Sequence, residues 1–275
     1  MTFLSEIKGA LSATDGIRAN HASDFAIIAE EDDFLVIDKP PFLLVHPTKP
    51  DGPRTLWCEL KRLFAFEMAN GGQISIVNRL DRETSGLVLV AKNAAAARRL
   101  GLMMQDQRIG KEYLAVAWGW PEWETRTVDG PIARQGIHQP SAIWLKRTIH
   151  PAGASARTDF RVEKRMTHSD SGERFSIIRA IPWTGRTHQI RVHLASLGNP
   201  IVGDKIYGPD EKLYLEFIET GWTPTLAARL LLPRHALHSA TLKIEQDGKE
   251  WTSPLPPDLA SFVAMSQVLP ANHAN

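Results

Sequence analysis

The sequence predicts an α+β domain, a mostly antiparallel mixed sheet with flanking helices. Three observations carry this expectation. Strand patterns outnumber helical ones. Turn residues join neighbouring strands at hairpin spacing. Strands and helices do not alternate as they do around a parallel sheet. The 275 residues are 43% hydrophobic and 23% charged, enough for one substantial core.

Residues 1–25 read as an N-terminal arm or short helix, 26–258 as the folded domain and 259–275 as a C-terminal tail. FAIIAEEDDFLVIDKPPFLLVHP reads as two strands around the acidic turn Glu30 to Asp33, ending in a proline-punctuated loop. Leu56, Leu60, Leu63, Phe64 and Met68 recur at helical spacing, with Gly71 and Gly72 as a stop. ISIV and LVLVAK are strands, and Asn93 is an N-cap for an Ala-rich helix running to about Gln107. KEYLAVAWGW is a strand with Tyr113, Ala115 and Ala117 on one face, which leaves room over the tyrosine. RTDFRVEKRM and ERFSIIRAIP form a hairpin turning at Ser169 to Gly172. THQIRVHLASLG is a helix with Ile190, Leu194 and Leu197 on one stripe and Gly198 as stop. A late strand, a turn at Asp247 and Gly248 and a short closing strand complete the order.

Charge is uneven. The formal net charge is +1, yet Pro131 to Arg191 holds eleven Lys/Arg against four Asp/Glu, a local +7. A basic zone of this kind fits a bound polyanion, or a solvated set of strand faces. The single cysteine, Cys58, and the charged N-terminus fit a reducing, cytoplasmic setting. No apolar run approaches a membrane span.

The chemistry starts at NRLDRETSGLVLVAK, Asn78 to Lys92. Asp81 stands between Arg79 and Arg82. If the preceding strand continues, Arg79 and Asp81 share a face, and a turn at Gly86 exposes what precedes it. An arginine beside a buried carboxylate keeps it ionised. Such a carboxylate can act as nucleophile, general base or metal ligand. At a surface, the same cluster is a salt bridge of little consequence. His188 and His193 are five apart, which does not suit one helical face, and Cys58 has no CxxC partner, so no metal is expected. Neither a P-loop, a GxGxxG nor a GxSxG motif occurs, so hydrolase, kinase and dehydrogenase readings each lack a signature.

NRLDRETSGLVLVAK is similar to the His-Arg-Leu-Asp-x-x-Thr-Ser-Gly signature of RluA-family RNA pseudouridine synthases. KEYLAVAWG resembles their Lys-x-Tyr segment. GRTHQIRVHLASLGNPIVGDKIYG and RHALHSATL resemble two later segments, in the family's order. The resemblance runs from about Phe34 to Pro256. It implies the pseudouridine synthase fold with a central catalytic cleft. It implies isomerisation of specific uridines to pseudouridine in structured ribosomal or transfer RNA, without cofactor or metal, by a cytoplasmic monomer. By the same resemblance Asp81 is the catalytic aspartate. Arg186 is its basic partner, and Tyr113 stacks on the base and serves the proton step. Arg79, Thr84, Ile190 and Leu237 contact the substrate. No segment resembles the S4 RNA-binding domain of many relatives. The signature's first residue, usually His, is Asn78 here, which motivates an alternative: an inactive RNA-binding or chaperone protein of the same fold. A carboxylate-based hydrolase unrelated to RNA rests on Asp81 alone.

Overall fold

The structure is a computed structural model that describes residues 25–49, 52–169 and 171–268. The expected N-terminal arm, apart from Phe25, lies outside these residues. Strands β1 (Ala26–Glu30) and β2 (Phe34–Lys39) pair around the acidic turn. Helices α1 (Leu56–Leu63) and α2 (Ala65–Ala69) follow, then β3 (Ser75–Ile76) and β4 (Ser85–Ala91). Helix α3 (Ala94–Gln105) starts at Asn93, whose side chain accepts from the Ala96 amide at 2.8 Å. Then come β5 (Ile109–Trp118), β6 (Thr125–Asp129), β7 (Ile132–Arg134), α4 (Gln135–His138) and β8 (Arg147–Ile149). The long hairpin β9 (Arg157–His168) and β10 (Arg174–Pro182) leads to α5 (Gln189–Ser196). Helices α6 (Lys212–Thr220) and α7 (Pro224–Leu230), to which the sequence reading assigned nothing, precede β11 (Leu237–Ile244) and β12 (Lys249–Thr252). Helix α8 (Pro257–Ala264) and β13 (Ser266–Val268) end the described chain.

Among the described residues the main sheet has eleven strands. Its path is β1-β2-β4-β11-β5-β10-β9-β13, with β3, β6 and β12 paired at its margins. The pairs are antiparallel except β4 with β11, so the α+β expectation holds. Burial on both faces explains the apolar runs. In β2, Leu35 and Ile37 enter the larger core, while Phe34 and Val36 face α3. In β4, Val88 and Val90 take the first side, and Leu87 and Leu89 the second. Strands β7 and β8 form a separate two-stranded sheet.

Three expectations are corrected. First, β3 stops at Ile76, so Arg79 and Asp81 lie on a loop rather than on one strand face. The reason is Asn78: its Oδ1 accepts from the Leu89 amide at 2.7 Å and its Nδ2 donates to the Leu87 carbonyl at 3.2 Å. A side-chain amide thus takes over the backbone pairing to β4. Second, Gly86 is not a turn but sits within β4 at φ +107. A Cβ there would lie 2.2 Å from the Ser239 carbonyl oxygen of the adjacent strand. Third, the domain does not end at 258. Helix α8 buries Leu259 and Phe262 in the main core, and β13 pairs with β9. The expected tail therefore belongs to the domain as far as Val268.

Gly86→Ala meets both an unfavourable φ and a backbone clash, so it should destabilise the protein by about 2 kcal/mol or more. Gly101→Ala, in α3 with nothing within 4 Å of its added methyl, should stabilise it by up to about 1 kcal/mol. Denaturant titration of both variants measures the contrast.

Candidate active site

A cleft of about 930 Å³ opens beside the 78–84 loop. Asp81, Tyr113, Arg186, Arg79, Thr84, Ile190 and Leu237 all line it. Strands β5 and β11 supply Tyr113 and Leu237, and α5 supplies Ile190 and Arg191. Ile190 and Leu237 are buried and give the cleft apolar wall, while Thr84 is buried and bonded at 2.7 Å to His235. Arg79 is exposed at its mouth.

The guanidinium that pairs with Asp81 is Arg191, not Arg186. Arg191 Nη1 donates to Asp81 Oδ2 at 2.9 Å. Its Nε and Nη2 donate to the two oxygens of Asp204 at 2.7 and 2.8 Å. Arg186 is exposed, and its Nε donates to the Ser155 carbonyl at 3.0 Å. The physical reason lies in the turn of helix: Arg191 points inward from a segment, Gln189 to Leu194, in which every residue is buried. Arg186 precedes that helix at the solvent edge. Asp204 in turn accepts from the amides of Ile206 and Tyr207 at 3.0 and 3.1 Å.

These contacts set the charges. Burial alone pushes the Asp81 carboxyl up. His188 when protonated, and then the permanent charge of Arg191, outweigh it and hold Asp81 below its ordinary value. Burial likewise opposes ionisation of Asp204, and Arg191 overcomes it. Glu83 is held well below the carboxylate range by Lys205 and His235, again against burial. Lys205 Nζ reaches Glu83 at 2.8 Å and the Pro233 carbonyl at 2.7 Å. Burial, with repulsion from Arg234, lowers Lys39 to about 7. Its Nζ donates to the carbonyls of Pro40, Leu43 and Arg82. Burial raises the Tyr113 hydroxyl to about 12 even though a bond to Ser239 opposes the shift. Asp81 remains 28% exposed, so an ionised carboxylate faces the open cleft.

The sequence reading missed Arg191, His188, Lys205 and Glu83. Arg191 carried one readable signal. An arginine between Ile190 and Val192, in a helix otherwise apolar on that side, needs a buried acid, and Asp204 follows within the same stretch.

Comparison with known proteins identifies the family. A family model described as RNA pseudouridylate synthase matches residues 33–196. The chain is 35% identical over 249 residues to ribosomal large subunit pseudouridine synthase D of Nitrosomonas europaea, covering 89% of this chain and 66% of that protein. It is 36% identical over 182 residues to the dual-specificity RNA pseudouridine synthase RluA of Vibrio vulnificus, covering 66% and 68%. The chain belongs to the RNA pseudouridylate synthase family. Its named relatives of the RluA and RluD type are isomerases. Solved structures agree. Human RNA pseudouridylate synthase domain containing 1 superposes with a TM-score of 0.65 at 26% identity, covering 90% of each chain. The chain spans about two thirds of the length of the curated pseudouridine synthases it matches.

The basic zone of the chain is smaller than its sequence count. Arg161 and Arg179 pair with Glu163, Arg165 with Glu124 and Lys146 with Glu211. Arg134, Arg147, Lys164, Arg174 and Arg186 have no carboxylate partner among the described residues. No helix of the described residues is long and apolar enough to cross a membrane.

Stability should follow the three depressed carboxyls, Asp81, Glu83 and Asp204. A folded-state pKa below the unfolded one stabilises above the unfolded value and is lost as pH falls through the folded one. Burial also lowers His188, His193, His235 and His238, so denaturant midpoints should fall gradually below about pH 6.5 and more steeply below about pH 4.5. Asp204→Asn should cost about 3–5 kcal/mol at pH 7, because Arg191 loses its buried partner. It should also flatten the acid limb.

Proposed function

We propose that the protein converts specific uridines to pseudouridine in a structured RNA, with Asp81 as the catalytic residue. The observation that carries this is the Asp81 carboxylate. It is held ionised by Arg191 and faces a cleft walled by Tyr113, Ile190 and Leu237. The name of one relative, a ribosomal large subunit enzyme, supports ribosomal RNA as substrate class, and the family resemblance of the motifs adds transfer RNA.

The chemistry follows from what the carboxylate can do. Detaching uracil breaks the N1–C1′ bond and develops positive charge at the sugar. An anion there stabilises or traps that charge. Arg191 occupies Oδ2, and Oδ1 forms no bond among the described residues. Oδ1 therefore meets the nucleotide. The base turns, C5 attacks C1′, and the C5 proton leaves as N1 gains one, so no atom is added or lost overall. Loss of the C5 proton restores the conjugated ring, and a weak base suffices. Tyr113 is protonated across the neutral range, which supports stacking on the base over service as the resting base.

A uridine stacked in a helix cannot enter such a cleft, so the target is extruded from its stack, at a cost of a few kcal/mol. Arg79 at the mouth and Arg186 on the rim are placed for phosphates or for the gap left behind. The reading as an inactive RNA-binding protein rested on Asn78. Its two backbone bonds hold the loop without touching Asp81, so the residue gives that reading no support.

RNA carrying tritium at C5 of uridine tests the proposal. The protein should release tritium to water, and Asp81→Asn should stop release while RNA binding stays nearly unchanged. Binding should weaken steeply with added salt. No release from any RNA would refute the isomerase reading, and an active Asp81→Asn would refute the residue.

A further inference from the structure

His188 stands beside Asp81 without a part in the chemistry so far. Its Nε2 lies 4.0 Å from Asp81 Oδ2, and its side chain is only 10% exposed, on the wall of the cleft. Its backbone is left-handed, at φ 59 and ψ 17, a conformation that His, Asn and Asp adopt more readily than other residues with a Cβ.

The surroundings also choose its tautomer. The Tyr207 hydroxyl lies 2.8 Å from His188 Nδ1 and accepts from the Arg147 amide at 2.8 Å. A backbone amide can only donate, and among the described residues Nδ1 is the acceptor within reach of the tyrosine's own hydrogen, so that hydrogen goes to Nδ1. His188 therefore accepts on Nδ1 and carries its hydrogen on Nε2, directed at the space in front of Asp81. Burial, then the charge of Arg191, lowers its pKa to about 4, against the pull of Asp81 and Asp204. It is a neutral donor at working pH rather than a proton source. At 4.0 Å the donor makes no hydrogen bond to the carboxylate itself. The bond it can make belongs to a ligand.

Building on the isomerase reading, we infer that His188 Nε2–H is a catalytic hydrogen-bond donor to O2 of the uracil as it detaches. In the bound nucleotide O2 is joined to C1′ through N1 and C2, so the carboxylate that meets C1′ has O2 of the base within a few ångströms of it. When N1–C1′ breaks, its electron pair passes to the uracil ring and is shared among N1, O2 and O4. Asp81, itself an anion, repels that charge, so a neutral fixed donor between them has a task. No proton crosses from His188. It donates a hydrogen bond that strengthens as charge develops and needs no reorganisation, because Tyr207 holds the ring in place.

His188→Asn is the discriminating variant. Asn tolerates the left-handed backbone, and its amide oxygen can still accept from Tyr207, but it has no group at the Nε2 position. On the RNA from which the wild type releases tritium, His188→Asn should lower kcat about 100-fold or more, with RNA Kd little changed. His188→Gln, whose amide reaches the Nε2 position, should recover part of the loss. A 2-thiouridine at the target should slow the wild type and leave the slow rate of His188→Asn unchanged, since sulfur accepts poorly.

Wild-type kcat in His188→Asn overturns the inference. So does an equal thio effect in both proteins, or a defect that vanishes when the target is 2′-deoxyuridine, which would assign the donor to the ribose. If His188→Asn does not fold, Tyr207→Phe serves. It keeps the ring that packs edge-on to His188 but frees the tautomer. Its kcat should fall about 10-fold, and an unchanged kcat overturns the inference. If the wild type releases no tritium from any RNA, the isomerase reading falls and this inference with it. Release by the wild type with unchanged kcat in the variants removes this inference alone.

Discussion

The site depends on one guanidinium placed between two carboxylates. Arg191 is buried, and so is Asp204, which takes its Nε and Nη2 together. A charged pair removed from water is held only if its remaining polar atoms find partners. Asp204 meets that condition through the amides of Ile206 and Tyr207. Arg191 meets it by turning its last nitrogen, Nη1, toward Asp81. The orientation of Asp81 is thus set by a buried residue of the cleft wall, and the charge of Asp81 follows from the same contact.

The loop that carries Asp81 is fixed from all sides by distant parts of the chain. Asn78 ties its start to β4, and Lys39 holds the carbonyl of Arg82. Lys205 and His235 take Glu83, His235 also takes Thr84, and Arg234 reaches the Glu83 carbonyl. Arg234 itself is anchored by Asp258 at the start of α8. Each of these contacts except the Asn78 pair and the Arg234–Asp258 pair spans forty or more residues of sequence. They explain why a charged loop sits in a single arrangement at the edge of a buried sheet. They also explain why the helix beyond residue 258 belongs to the domain.

What was legible in the sequence was what local chemistry determines. The hairpin of β9 and β10, the capped helix after Asn93 and the small neighbours around Tyr113 all rest on residues within a few positions of each other. Asp81 stood out through its signature, and the cleft does gather it with Tyr113, Ile190 and Leu237. The failures are non-local. Gly86 reads as a turn because a glycine at positive φ suits one; only the approach of the Ser239 backbone shows that it belongs in a strand. Arg186 and Arg191 lie five residues apart in one motif. Which of them points inward is decided by the packing of α5 against its neighbours, and a linear pattern does not contain that. The basic segment looked stronger than it is because its acids, Glu112, Glu124 and Glu211, come from outside it.

The central claim is that Arg191 sets the charge state of Asp81. Carboxyl-carbon NMR titration of Asp81, in the wild type and in Arg191→Lys, tests it most directly. Lysine keeps a charge but cannot bridge two carboxylates at once. In the wild type, Asp81 should titrate below the ordinary aspartate value of 3.8, and in Arg191→Lys its midpoint should move upward. An Asp81 that titrates at the same pH in both proteins would contradict the account.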